Sequence, residues 1–244
     1  MSKPLPSIIL LLFAIPSLAQ VSGVVVEADT KKPVPYVNIG SMAEGYGTSS
    51  SAKGRFTTDT EADDSLAFSA VGFATKTMAV GELSDTVMLE KQVSQLKTAE
   101  IRPEASKELI LGEYKGNRIR YFWGTSNYVL LVARHFAYPS ETSEVLFLNR
   151  LSIYTESELE GAKFIVRIYG VGLDGKPGEY LCDQNIFGYA KKGWQETEVD
   201  LSDLHIVFPE EGLFIAVESL RIEENRYTQV VENQSKRPGL PKNY

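Results

Sequence analysis

The sequence predicts an all-β protein built from two sandwiches, the second of jelly-roll type. Three observations carry that expectation. Turn residues recur about every 8–12 positions through the first part of the chain, the rhythm of a sandwich. No stretch over 21–97 keeps the apolar period of a helix, which is about 3.6 residues. From Arg118 onward longer strand-like runs return, separated by long loops with no helices between them.

The elements follow in order. Lys3 precedes the apolar run Ile8-Ile9-Leu10-Leu11-Leu12-Phe13-Ala14-Ile15, and Ser17-Leu18-Ala19 places small residues three and one before a cut between Ala19 and Gln20. That is the form of a secretory signal peptide over 1–19. The run is shorter than the ~20 residues of a comfortable membrane span, and no Cys follows it to take a lipid. The mature chain is therefore expected to be exported and not membrane-spanning: periplasmic, on the outer-membrane surface, or extracellular.

The first sandwich is expected over 20–97. Val21-Ser22-Gly23-Val24-Val25-Val26-Glu27 is β-branched and apolar, and Asp29-Thr30-Lys31-Lys32-Pro33 breaks it. In Tyr36-Val37-Asn38-Ile39, strand alternation places Tyr36 and Asn38 on one face and Val37 and Ile39 on the other. Gly47 and Gly54 mark turns, and Arg55-Phe56-Thr57-Thr58 follows as a strand. Asp64 can close a turn through its carboxylate before Ser65-Leu66-Ala67-Phe68-Ser69. Phe73 to Val80 and Asp85 to Leu89 complete the series, with Phe56, Leu66 and Phe68 as core candidates.

This string resembles the carboxypeptidase-regulatory-like domain, an Ig/transthyretin-like (prealbumin-like) β-sandwich of bacterial envelope proteins. The resemblance is carried by Ser22-Gly23-Val24-Val25, Pro33-Val34-Pro35-Tyr36-Val37-Asn38-Ile39, Gly47-Thr48-Ser49, Ala52-Lys53-Gly54-Arg55-Phe56, and Asp64 through Phe73. It implies the sandwich fold and a cell-envelope setting, and the order and spacing of the pieces make it specific.

Residues 98–117 are polar and broken by Pro103, and read as a linker with a short helix or turn near Ser106 to Leu111. The second sandwich is expected over 118–227. Its strands are placed in Asn127 to Tyr138, Glu144 to Thr155, Lys163 to Val171, Trp194 to Leu201, His205 to Phe208 and Leu213 to Leu220, with a hairpin or surface loop over Gly170 to Gly178. Phe164-Ile165-Val166-Arg167-Ile168-Tyr169 and Gly175-Lys176-Pro177-Gly178 resemble the sandwich that follows such regulatory-like domains in envelope proteins. The tail over 228–244 is polar, contains proline, and is expected to be mobile.

Composition narrows the chemistry. The formal net charge of −7 opposes a nucleic-acid partner. His135 and His205 have no partner at metal-ligand spacing and read as ordinary strand residues, and the single Cys182 reads as a small buried or half-buried residue. No nucleophile elbow, phosphate loop or dinucleotide fingerprint occurs. Acidic pairs such as Asp63-Asp64, Glu210-Glu211 and Glu223-Glu224 read as solvated turn charge. No catalytic, cofactor-binding or metal-binding residue is therefore expected.

The aromatics are the pointers to a ligand. In Trp194-Gln195-Glu196-Thr197-Glu198-Val199-Asp200-Leu201, alternation puts Trp194 with Glu196, Glu198 and Asp200, where its ring can stack on a sugar or cap the sandwich edge. Trp123, in Tyr121-Phe122-Trp123-Gly124, is the second candidate platform. The expected function is an exported, non-catalytic binding or structural module of the cell envelope, its partner an envelope protein or a glycan. The alternatives are an accessory carbohydrate-binding protein and a hydrolase with an unrecognised carboxylate site.

Overall fold

The computed structural model describes residues 18–43, 47–92, 108–112, 129–140 and 145–227. The predicted signal up to residue 17, most of the predicted linker, the tail from Thr228 and Trp123 lie outside the described residues.

The described chain is all-β, as predicted. Its strands are β1 (Leu18–Glu27), β2 (Asn38–Ser41), β3 (Gly47–Ser49), β4 (Arg55–Glu61), β5 (Ser65–Ser69), β6 (Lys76–Ala79), β7 (Thr86–Leu89), β8 (Leu131–Phe136), β9 (Arg150–Ser157), β10 (Ala162–Val171), β11 (Pro177–Tyr180), β12 (Ile186–Ala190), β13 (Gly193–Asp200) and β14 (Leu213–Ser219). Among the described residues, the helical elements between them are short 3-10 turns.

Two sheets make the first sandwich, one in the order β4-β1-β7 and the other β3-β2-β5-β6. Strand β1 runs antiparallel to β4 and parallel to β7. The alternation in β4 and β5 turns Phe56, Leu66 and Phe68 inward, where they meet Val25, Val37, Ile39, Val87 and Leu89. Phe56 and Phe68 meet edge to face at 5.6 Å, so the expected aromatic core is present. Gly54 is required where it stands. Its φ is +71°, and a Cβ there would lie 2.6 Å from the carbonyl oxygen of Val25.

In the second sandwich, β11-β10-β14-β8 form one sheet, with β12 also pairing β10, and β13-β9 form the other. Phe164, Val166 and Ile168 of β10 point into a core shared with Ile186, Val199, Leu201, Phe208 and Leu213. The Phe164 ring lies directly over Gly188 on β12, leaving no space for a Cβ. The predicted hairpin after Gly170 is present, with the turn closed by Gly172 N–H donating to the Lys176 carbonyl at 2.8 Å.

Several boundaries differ from the expectation. The strand predicted from Phe73 is only Lys76–Ala79, because Phe73 instead forms an isolated bridge with Lys91. His205 is not a strand residue: it caps a 3-10 turn at φ 52°. Asp64 is not solvated turn charge but buried, for a reason visible in its partners. Its carboxylate accepts from the Ser41 hydroxyl, from Thr60 Oγ1 at 3.2 Å, and from the backbone N–H groups of Ser65 at 2.6 Å and Ala43 at 3.3 Å. A buried carboxylate is tolerated when its oxygens are satisfied in this way.

Candidate functional site

Strand alternation makes the outer face of the β13-β9 sheet polar. β13 buries Thr197 and Val199 and exposes Trp194, Glu196, Glu198 and Asp200, as the sequence predicts. β9 exposes Arg150, Ser152, Tyr154 and Glu156. The register sets Trp194 opposite Glu156 and Glu196 opposite Tyr154. The two rings lie on one diagonal of this square, 5.4 Å apart and tilted by 59°. Trp194 is 43% exposed and Tyr154 37%, so this pair is a surface feature rather than core.

Behind this face a cleft of about 1430 Å³ opens between the two sheets. Leu151 and Ile153 of β9 line one wall, and Val132 and Phe136 of β8 with Ile215 and Val217 of β14 line the other. All six are only half-buried, and Phe136, Leu151, Ile153, Ile215 and Val217 also pack against the core of the second sandwich. Tyr154, Glu156 and Trp194 reach its rim, and Thr48, Thr57, Thr58 and Asp59 contribute from the first sandwich. Asn225 shapes its floor. The side chain accepts from Lys163 N–H at 2.8 Å and donates to the carbonyls of Lys163 at 2.6 Å and Leu220 at 2.9 Å.

Residues 21–101 match the family model of the CarboxypepD_reg-like domain. The first sandwich is a carboxypeptidase-regulatory-like domain. No curated protein matches the chain.

The regulatory-like domain meets the second sandwich along a seam that the sequence reading missed. Tyr36 was expected in a regular strand. It stands instead at φ 54°, before β2 begins, and its ring leaves the first core. It packs with Ile165, Leu220 and Ile222, and meets Phe187 edge to face at 5.0 Å. Lys163 Nζ donates to the Tyr36 hydroxyl at 3.0 Å and lies over the rings of Tyr36, Phe187 and Tyr189 at 5.0, 5.4 and 5.9 Å. The bond to Tyr36 holds the Lys163 ammonium above its ordinary range. Arg221 adds a second tie from the second sandwich. Its N–H donates to Ser49 Oγ at 3.3 Å and its guanidinium to the Gly47 carbonyl at 3.2 Å. One signal was available in the sequence: Phe164-Ile165-Val166 is a continuous apolar run rather than an alternating one, which marks a strand covered on both faces.

The remaining candidates are placed as follows. His135 stands in β8 with its ring 4.9 Å from Phe214. Among the described residues, no three His, Cys, Asp or Glu side chains converge as metal ligands. Cys182 is buried at 8% exposure, as predicted, and burial pushes its thiol above the usual range. In the native protein it is expected to react with a thiol reagent such as Ellman's far more slowly than free cysteine, and at the ordinary rate in urea. Fast native labelling would show that the site is open.

Proposed function

We propose that the protein is an exported, non-catalytic binding module of the cell envelope, with the regulatory-like domain as its scaffold and the rim of the second sandwich as its contact surface. The observation that supports this reading is the half-exposed Tyr154–Trp194 pair at the mouth of a large cleft. Exposed aromatic pairs and contiguous half-buried apolar surface mark contact sites, because their burial against a ligand is favourable. The export half of the reading rests on the signal pattern over 1–19. Cleavage after Ala19 leaves β1 its ladder from Gln20 opposite Asp59 to Val24 opposite Arg55. The protein of the envelope or periplasmic fraction is expected to begin at Gln20 by mass spectrometry, and an intact Met1 in a membrane fraction would contradict export.

A glycan ligand is the second reading, supported by the same rings, since a tilted aromatic pair offers a face to a sugar. Glycan-array binding and pull-down of envelope proteins separate the two. Under either, Trp194→Ala is expected to weaken binding about tenfold, with a shift in melting temperature under ~2 °C, because a surface contact is removed without opening a cavity. A large fall in melting temperature would mark Trp194 as core and remove the support for this surface.

A further inference from the structure

We propose that Gln20 is a modification site: once it becomes the first residue, its α-amine closes onto its own side-chain carboxamide, and the mature chain carries a neutral pyroglutamate at the head of β1. This rests on the export reading, whose failure the test below tells apart from failure of the ring closure. The step balances within one residue. The α-nitrogen attacks Cδ, the bond from Cδ to Nε2 breaks, and Nε2 leaves as ammonia with the proton that the α-nitrogen gives up. The ring closes without an oxidant or a co-reactant. Both reacting groups sit on one short side chain, so no bimolecular encounter is needed. An α-amine has a pKa of about 7.7–8.0, so cleavage before Gln20 exposes a partly unprotonated nucleophile at neutral pH. Before cleavage the same nitrogen is an amide in the Ala19–Gln20 peptide bond and does not attack.

The strand register permits the closure. Val25 N–H donates to the Gly54 carbonyl at 2.8 Å, and the β1–β4 ladder continues without a slip from Val24 opposite Arg55 to Gln20 opposite Asp59. Antiparallel pairs alternate between hydrogen-bonded and non-hydrogen-bonded. The odd-numbered residues of β1 therefore form the rungs to β4, and Gln20 falls between two of them. Its backbone nitrogen turns away from β4, as the N–H of Val24 does in donating to the Asp85 carbonyl at 2.9 Å. Cyclisation thus breaks no rung to β4. The side chain is exposed, and its carboxamide Nε2 donates to Asp59 Oδ1 at 3.3 Å. An exposed bond of this length exchanges with water at little cost, and strand ends fray at almost none, so the carboxamide can fold back onto the amine. The product has a consequence for the fold. Aminopeptidases bind a free α-ammonium, which the lactam lacks. β1 is the central strand of the β4-β1-β7 sheet, and trimming from its head would remove rungs to β4 in turn, beginning at Val21 opposite Thr58.

Two measurements test this. In the first, the full mature chain from Gln20 to Tyr244 is released from an upstream tag by a protease that leaves Gln20 first. It is then held, folded, at neutral pH, and its N-terminal tryptic peptide is weighed over time beside the free peptide Gln20-Val21-Ser22-Gly23-Val24. Both are expected to lose one ammonia at comparable rates, and the N-terminal peptide of Gln20→Ser is expected to lose none. A folded chain that keeps its ammonia, or loses it more than about tenfold more slowly than the peptide, overturns the proposal, because the sheet then holds the residue. Loss from the Gln20→Ser peptide overturns it too, by placing the reaction at another residue. In the second measurement, the exported protein is purified from the cells that produce it and its N-terminal peptide is weighed. A start at Gln20 with one ammonia missing, and resistance to Edman sequencing, is the expected result. A start at Gln20 with an intact amine overturns the modification and leaves export standing. A start at Met1 overturns the export reading, and with it the modification in the cell.

Discussion

Arg167→Met is expected to destabilise the protein by about 3–5 kcal/mol, the largest effect of any single substitution considered. Arg167 on β10 and Glu218 on β14 are each 2% exposed and meet at 2.7 Å. Arg167 also donates to Asn185 Oδ1 at 2.6 Å, and its guanidinium lies 5.9 Å from the centre of the Tyr180 ring. Tyr180 in turn stacks on Tyr169 at 4.7 Å, and burial pushes the Tyr169 hydroxyl far above its ordinary range. Glu218 Oε1 is buried and already has no hydrogen-bond partner. Loss of the guanidinium would leave the whole carboxylate buried and uncompensated, and that residual charge is what makes the substitution costly. Arg167→Met/Glu218→Leu should recover most of the loss, because an apolar pair of similar volume carries no desolvation penalty. Urea unfolding of the three variants against the parent checks this. A double variant no more stable than Arg167→Met would mean that packing, not charge, dominates the site.

Asp64→Ala is expected to cost about 3 kcal/mol, because it removes the common acceptor of Ser41, Thr60, Ser65 N–H and Ala43 N–H. Burial alone would raise the pKa of Asp64, but these four donors outweigh it and hold the carboxyl below the ordinary aspartate range. The sign follows from that direction. A carboxyl with a lowered folded pKa contributes stability that is complete above the unfolded value, about pH 4, and is lost as the pH falls through it toward the folded pKa. The parent should therefore lose stability in acid more steeply than Asp64→Asn, whose side chain does not titrate. Parallel acid slopes in the two proteins would place the acid sensitivity elsewhere.

Much of the fold was legible because it is local. Large apolar side chains in short strands after turns marked Phe56, Leu66 and Phe68 as core, and strand alternation put Trp194 on the polar face of its strand. Turn chemistry identified Asp64 as a turn closer, but could not show that Ser41, from twenty-three residues earlier, closes over the same carboxylate. Tyr154 was not legible as Trp194's partner. That pairing is set by the register between β9 and β13, which meet across a separation of about forty residues in sequence, and nothing local fixes it. The same holds for Arg167 and Glu218. Each reads as one charge in an apolar run, and only the β10–β14 ladder brings the opposite signs together. Tyr36 failed for another reason: a left-handed backbone at a non-glycine residue is uncommon enough that alternation was the natural expectation.

The most direct test of the proposed contact surface is site-specific photo-crosslinking in cells that produce the protein. A photoreactive side chain is placed at Ser152, exposed on the β9–β13 face, and as a control at Thr77, exposed on β6 of the regulatory-like domain. The account predicts a discrete adduct from position 152, reduced by Trp194→Ala, and none from position 77. An adduct from position 77 alone, or one from position 152 that is indifferent to Trp194→Ala, would contradict it.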